Sequence, residues 1–325
     1  MRTHEPRREH LGPPGLQGRG TLVACAVLGL FTFLRTGMAE NWTNWRGPSG
    51  QGVAAGERYP VTWGPEENIA WRFELPGHGG STPAVWENYI FVTCADGEHN
   101  VILALDRQGQ ERWKVALGQY RPGKHPKATG ANPSPVTDGQ LVFAYFKSGD
   151  LACLDVSGRV AWKMNLQKRF GEDTLWWDLG TSPVLTTDAV IVACQQSGPS
   201  YVVALAKATG EVLWKHDRLL PAPDEAAQSY STPMIAPDGR RELLIVAGAD
   251  HVTAHSLTDG AEIWRVGGLN PGQQRFFRSI ASPVLADGRV LVPYARGATL
   301  TAVELGGRGD VTETHVAWTR EDIAS

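Results

Sequence analysis

Three observations predict an all-β fold built of short antiparallel sheets stacked side by side. A Ser/Thr-Pro element recurs roughly every fifty residues, a glycine turn followed by a tryptophan recurs at the same period, and short β-branched runs joined by tight turns lie between them. A small sheet that is apolar on both faces buries itself only by stacking on copies of itself, so the pattern predicts a β-propeller of four-stranded blades.

The units begin at Ser81-Thr82-Pro83, Pro133-Ser134-Pro135, Thr181-Ser182-Pro183, Ser231-Thr232-Pro233 and Ala281-Ser282-Pro283, with the closing prolines 52, 48, 50 and 50 residues apart. Each continues into a turn and an apolar run: Tyr89 to Thr93, Leu141 to Tyr145, Ala189 to Ala193, Leu243 to Ala247 and Val290 to Pro293. The turns at Asp138-Gly139, Asp238-Gly239 and Asp287-Gly288 carry the pair favoured where a hairpin needs positive φ. A second run ends near Leu105, Leu154, Leu205, His255 and Val303. Gly109 with Trp113, Gly158 with Trp162, Gly210 with Trp214, Gly260 with Trp264 and, more widely spaced, Gly309 with Trp318 then close the five units. These tryptophans are expected to be structural, each burying on the order of 150 to 250 Å².

Trp71 stands before the first unit without inner strands of its own. It is expected to be the outer strand of the last blade, supplied by the N-terminus to close the ring. Only Thr319 to Ser325 follow Trp318, too few for the three strands Trp71 would need. The expectation is therefore an incomplete ring of five repeats plus a closing strand, truncated at its C-terminus, whose full form has six to eight blades. Its fifth blade should be open and prone to association.

Residues 1–39 read as a signal peptide. Arg2, Arg7, Arg8 and Arg19 precede a short apolar run from Thr21 to Leu34, and Gly37 and Ala39 offer small residues to a peptidase. The run falls short of a bilayer span, so no transmembrane segment is expected after cleavage. Residues 40–75 form a lead-in with the closing strand, and 76–325 the propeller. The chain is thus expected to be exported, to the periplasm or cell envelope. Without residues 1–39 it carries 26 basic and 32 acidic residues, a balance that argues against nucleic acid as a partner. Cys94, Cys153 and Cys194 each sit in an apolar run and are expected to be buried free thiols.

The stretch from Ala104 to Trp113, Ala-x-Asp-x-x-Gly-x-x-x-Trp, its near copy from Cys153 to Trp162, and Ala204 to Trp214 resemble the tryptophan-docking repeat of the quinoprotein, or pyrroloquinoline-quinone-like, β-propellers. The resemblance covers about residues 68 to 318. That superfamily includes eight-bladed dehydrogenases and non-catalytic members such as the outer-membrane assembly factor of the Bam complex. The lead-in Asn44-Trp45-Arg46-Gly47-Pro48 with Asn68-Ile69-Ala70-Trp71 is similar to exported repeat proteins of planctomycete-type bacteria. A dehydrogenase of this kind implies calcium held by carboxylate and amide ligands, a basic group at the quinone, an aspartate base and often a disulfide between adjacent cysteines. No adjacent cysteines and no alignable acidic cluster occur here, so no cofactor is predicted, with pyrroloquinoline quinone and calcium as the alternative.

No catalytic or metal-binding residues are identified. His251 and His255 have helical zinc spacing, but on a strand they stand roughly 13 Å apart, too far for one ion. The connections leading into the inner strands are richer: Arg121, Lys124, His125 and Lys127 before the second unit, Trp176 and Trp177 before the third, Tyr230 before the fourth, and Arg275, Phe276 and Arg278 before the fifth. Such connections gather on one rim of a propeller and form the candidate ligand surface. The expected function is a non-catalytic envelope binding or scaffold protein whose partner is a protein, a peptide or a glycan. A quinone-dependent dehydrogenase and a carbohydrate-binding accessory protein are the alternatives.

Overall fold

A computed structural model describes residues 40–56, 59–294 and 299–321; the expected signal peptide lies outside them. The described chain contains five β-sheets in sequence order. The first blade consists of β1 (Ala84–Trp86), β2 (Tyr89–Asp96), β3 (His99–Leu105) and β4 (Glu111–Gln119). The second has β5 (Val136–Thr137), β6 (Leu141–Tyr145), β7 (Asp150–Asp155) and β8 (Val160–Asn165), followed by the one-turn helix α1 (Leu166–Phe170). The third has β9 (Val184–Leu185), β10 (Ala189–Cys194), β11 (Tyr201–Ala206) and β12 (Val212–Asp217). The fourth has β13 (Met234–Asp238), β14 (Arg241–Gly248), β15 (His251–Ser256) and β16 (Glu262–Val266). The fifth has β17 (Val284–Ala286), β18 (Arg289–Tyr294), β19 (Thr299–Glu304) and, after β20 (Gly309–Asp310) and the short helix α2 (Thr312–His315), β21 (Val316–Arg320). Within each blade the four strands form an antiparallel meander.

One cross-strand row repeats in every blade and explains the sequence period. Ala84, Phe91, Ala104 and Trp113 are register partners across blade 1. The same places hold Val136, Phe143, Cys153 and Trp162 in blade 2, and Val184, Ile191, Ala204 and Trp214 in blade 3. Blade 4 has Met234, Ile245, Ala254 and Trp264, and blade 5 has Val284, Leu291, Ala302 and Trp318. A small residue opposite each tryptophan leaves room for the indole to lie along the sheet. The apolar cores then run between successive blades: one joins blades 1 and 2, the next blades 2 and 3, then 3 and 4, then 4 and 5. No described cluster joins blade 5 to blade 1, so the arc is open.

The indoles carry these junctions. Trp71, Trp113, Trp162 and Trp214 lie against Gly109, Gly158, Gly210 and Gly260, where a methyl group would fall inside 3.0 Å of the ring. Those glycines have φ between +73° and +91°, so the turn itself also disfavours any side chain. The four indole N–H groups donate to the carbonyls of Arg107, Val156, Lys207 and Leu257 at 2.7 to 3.0 Å. Trp264 departs from the expected pattern: no atom lies within 4 Å of where Gly309 would carry a Cβ, so the indole does not press on that glycine as the others press on theirs. The connection after β19 is longer in blade 5, and its β20 pairs in parallel with β16 to cover Trp264, whose buried N–H finds no acceptor among the described residues.

A second belt runs along the inner strands. The residue before each proline receives a hydrogen bond on its hydroxyl from the equivalent N–H of the preceding blade: Thr82 to Ser134, Ser134 to Ser182, Ser182 to Thr232 and Thr232 to Ser282, at 2.8 to 3.0 Å. Proline then fixes the strand entry that keeps the hydroxyls aligned.

The N-terminal segment does two things. Residues 42–51 cross the inner strands as a strap. Trp42 exchanges backbone hydrogen bonds with Val85, Thr43 accepts from the Thr137 N–H, Arg46 donates to the Ser282 and Pro283 carbonyls, and Gln51 accepts from the Leu285 N–H. The strap therefore ties blades 1 and 2 to blade 5 across the opening. Further on, Trp71, Phe73 and Leu75 alternate half-buried with exposed neighbours, and Phe73 and Leu75 cover the outward face of blade 1 at Val92, Cys94, Val101 and Leu103. This extended stretch has the alternation of a strand, while none of the described strands pairs with it. Gly77 and Gly79 press against the Ala95 and Thr93 carbonyls, which only a residue without Cβ permits.

Candidate functional site

The four connections between successive blades, numbered second to fifth after the blade that each enters, touch their neighbours in turn. Lys124 and Lys147 meet Asp178: the Lys124 N–H donates at 2.8 Å, and the Lys147 ammonium forms a buried ion pair with the carboxylate. The Lys124 ammonium donates to the Leu175 carbonyl and that of Lys147 to the Pro122 carbonyl. These bonds lock the second connection onto the third. Nearby, burial raises the Asp173 carboxyl above its ordinary value.

The third, fourth and fifth connections build an aromatic platform. The Trp177 indole N–H donates to Glu225 Oε1 at 2.6 Å, its backbone N–H to the Tyr230 hydroxyl at 3.2 Å, and Arg278 lies 5.5 Å from its ring centre. Arg278 is also paired with Glu225 at 2.6 Å. Gln228 Oε1 accepts from the Trp176 N–H and from the Tyr230 hydroxyl. The Trp176 ring meets Phe276 with centroids 6.3 Å apart, and His125 stands edge-on to Trp177. Glu225 and Gln228 are buried, yet Trp176, Trp177 and Phe276 remain 47%, 41% and 51% exposed. A buried polar layer thus fixes indoles that face outward. Burial moves the Tyr230 hydroxyl to a pKa well above its usual range, so it stays a neutral donor.

Of the ten residues singled out in the sequence, Lys124, His125, Trp176, Trp177, Tyr230, Arg275, Phe276 and Arg278 converge here. Arg275 is ion-paired with Asp224. Arg121 instead reaches Gln167 of α1 at 2.8 Å, and the Lys127 side chain has no recorded partner on the platform. Sequence reasoning missed Glu225, Gln228, Asp178 and Lys147. They lie in different repeats and become neighbours only when the connections stack.

A separate cavity of about 910 Å³ opens beside the strap. Trp45, Arg46, Thr186, Asp188, Met234 and Pro283 are among its walls, and none of the platform residues lines it. Elsewhere, His255 is fully buried between Thr253 and the Gly260 carbonyl, with its pKa pressed down to about 3 by burial and by Arg218. His251 bonds the Ala249 carbonyl, so the two histidines serve separate local contacts. The described cysteines are free thiols: Cys94 and Cys153 are buried and Cys194 half-buried.

Comparison with known proteins bears on this geometry. The sequence profile of the family described as outer membrane protein assembly factor BamB matches residues 53–198 and 158–314. Among solved structures, a europium-containing methanol dehydrogenase superposes with a TM-score of 0.57 at 14% identity, covering 78% of this chain and 53% of that one. BamB from Moraxella catarrhalis gives 0.51 at 16% identity over 74% of this chain and 64% of its own. The quinohemoprotein alcohol dehydrogenase of Pseudomonas putida gives 0.53 at 15% identity over 77% and 43%. No curated protein sequence matches the chain. Likeness at this identity shows the fold alone, and the chain spans 43 to 64% of the length of these proteins. Among the described residues no group of three or more His, Cys, Asp and Glu side chains converges to hold a metal ion, and the carboxylates Asp178 and Glu225 are already committed to Lys147 and Arg278. This donor set does not fit a calcium-supported quinone.

Proposed function

Because the chain belongs to the family of the outer membrane protein assembly factor BamB, we propose that it is a non-catalytic binding protein of the cell envelope that holds its partner on the Trp176–Trp177–Phe276 platform. The support is the way the platform is built. Large aromatic side chains exposed at a loop surface cost solubility, and here the Trp176 backbone N–H is held by buried Gln228 and the Trp177 backbone and ring N–H groups by half-buried Tyr230 and buried Glu225. Rigid aromatic surface is what a binding site needs, since little side-chain entropy is lost on contact. The rim cations give no comparable support for an anion site, because Arg275, Arg278 and Lys147 already have carboxylate partners. Export to the periplasm or envelope and cleavage after residue 39 belong to the same proposal.

The test is site-specific photo-crosslinking in the full chain, with the reactive side chain introduced at Phe276 or, as a control, at Val160 on the outer strand of blade 2. Adducts that form at the rim and disappear with Trp177→Ala support the proposal. Adducts that form equally at Val160, or that ignore Trp177→Ala, contradict it.

A further inference from the structure

We infer that the cavity beside the strap binds a small organic monocarboxylate, with Arg46 holding the carboxylate and Trp45 and the inner strands of blades 3 and 4 holding its apolar body. The cavity shares no residue with the rim platform, so the inference stands apart from the function proposed above. Its walls come from the strap and blades 2 to 5. Blades 3 and 4, which supply most of them, lie between described neighbours.

The guanidinium of Arg46 carries the argument. Its Nη1 donates to the Ser282 and Pro283 carbonyls at 3.4 and 3.1 Å, which fixes the group in place without cancelling its charge. Burial presses its pKa down, and no described carboxylate offsets that effect. Nε and Nη2 have no recorded partner among the described residues. Those two nitrogens form the edge of the fork that meets a carboxylate side-on with two parallel bonds. Arg46 lines the cavity, and its guanidinium carbon lies 4.5 Å from the centre of the Trp45 ring, which lines it too.

The strap is shaped to present this pair. Asn44 Oδ1 accepts from the Arg46 N–H at 3.2 Å, the Gly47 N–H donates to the Asn44 carbonyl, and the Gly52 N–H donates to that of Arg46. Gly47 takes a φ of +73° where a methyl group would fall inside 3.0 Å of the Trp42 ring. Trp45 and Arg46 therefore sit in a turn whose form is set before a ligand arrives, so little order is lost on binding.

The other walls select the ligand. A volume of about 910 Å³ suits an organic molecule better than a bare ion. Leu185, Met234 and Ile235 make part of the lining apolar, and Lys207 neutralises Asp138 at 2.7 Å. Asp188 and Glu242 are exposed, so they stand where the cavity meets solvent. Their charge repels a polyanion, and the single guanidinium then favours one negative charge attached to an apolar body.

The probe is para-benzoylbenzoate, a photoreactive carboxylate, irradiated with the full chain and mapped by mass spectrometry. Adducts are expected within residues 43–50, 183–189 or 233–235. Phenylbutyrate should suppress them. Its neutral amide should need a roughly tenfold or higher concentration, the loss of one charge-assisted pairing, and inorganic phosphate should not suppress them. Arg46→Gln should abolish the preference for acid over amide, while Trp177→Ala should leave the labelling unchanged. Because Arg46→Gln also loosens the strap, the comparison of acid with amide is made on the unaltered protein as well. Adducts confined to other positions, or equal suppression by acid and amide, overturn the inference. Suppression by phosphate at the concentration of phenylbutyrate overturns it too, since the site would then read charge without an apolar body. Labelling that falls with Trp177→Ala places the ligand on the rim and overturns the separate site.

Discussion

Removing the Trp214 indole should unlatch blade 3 from blade 4, and Gly260→Ala should do so by a different route. Trp214 is only 7% exposed, packs over Gly260 and donates to the Leu257 carbonyl at 3.0 Å. Its buried ring is worth about 4 to 6 kcal/mol gross at about 25 cal/mol/Å². Large-to-small aromatic changes in a core lose about 3 to 5 kcal/mol, the expected cost of Trp214→Ala. Gly260→Ala places a methyl into the ring and into a φ of +73°, of which the backbone part alone costs about 1 to 2 kcal/mol. In the Trp214→Ala background the steric part vanishes, so the two changes should be coupled by about 1 to 3 kcal/mol. Trp318, 38% exposed with no glycine turn beneath it, should cost about 2 to 3 kcal/mol as alanine, in proportion to its smaller buried area. Urea unfolding followed by circular dichroism reads all four, with a constant slope required before midpoints are compared. Additive costs for Trp214→Ala and Gly260→Ala, or equal losses for Trp214→Ala and Trp318→Ala, would refute the interblade role given to the indole.

Trp176→Ala should cost under about 1 kcal/mol in the same assay, as expected for a half-exposed side chain away from the cores; a loss matching Trp214→Ala would return it to the core. His255 titrates near 6.5 unfolded and is pressed down to about 3 when folded, so its contribution is present above pH 6.5 and lost as pH falls toward 3. The stability slope over that window should approach about 1.4 kcal/mol per pH unit and flatten in His255→Gln; an unchanged slope would assign the acid sensitivity to other groups. Arg46→Ala removes two of the three hydrogen bonds described between the strap and blade 5, leaving that of Gln51, and limited proteolysis should then cut between residues 40 and 60 faster while blades 2 to 4 stay protected. Identical cleavage would show that the strap does not depend on Arg46.

The blades were legible because stacking imposes one residue per strand on a shared row. Small residues such as Ala104 and Ala204 recur opposite the tryptophans for that reason, and the Asp-Gly pairs mark hairpins in which Gly139, Gly239 and Gly288 take φ of +89°, +64° and +73°. The exception was also written in the chain, since Gly309 and Trp318 are nine residues apart where the other pairs are four. What that spacing does not convey is that the extra residues form β20 and cover Trp264. The hydroxyls of Ser134, Ser182, Thr232 and Ser282 were visible only as repeat markers, because their role as acceptors depends on the distance between blades. At the rim, the adjacent aromatics and basic residues announced themselves. Glu225 and Gln228, which hold them, did not, since a carboxylate and an amide fifty residues from their partners carry no local signature. The strap's path from blade 1 to blade 5 likewise follows from tertiary contacts of Trp42, Arg46 and Gln51 that no periodicity encodes.

The proposal that this propeller binds a partner and does not oxidise a substrate is tested most directly by a thermal melt of the full chain with pyrroloquinoline quinone and calcium, paired with a dye-linked assay on alcohols and sugars. A group that binds only the folded protein stabilises it by about 2.7 kcal/mol at a hundred times its dissociation constant, a shift readily seen in a melt. The account predicts an unchanged melting temperature and no dye reduction. A clear upward shift accompanied by turnover would contradict it.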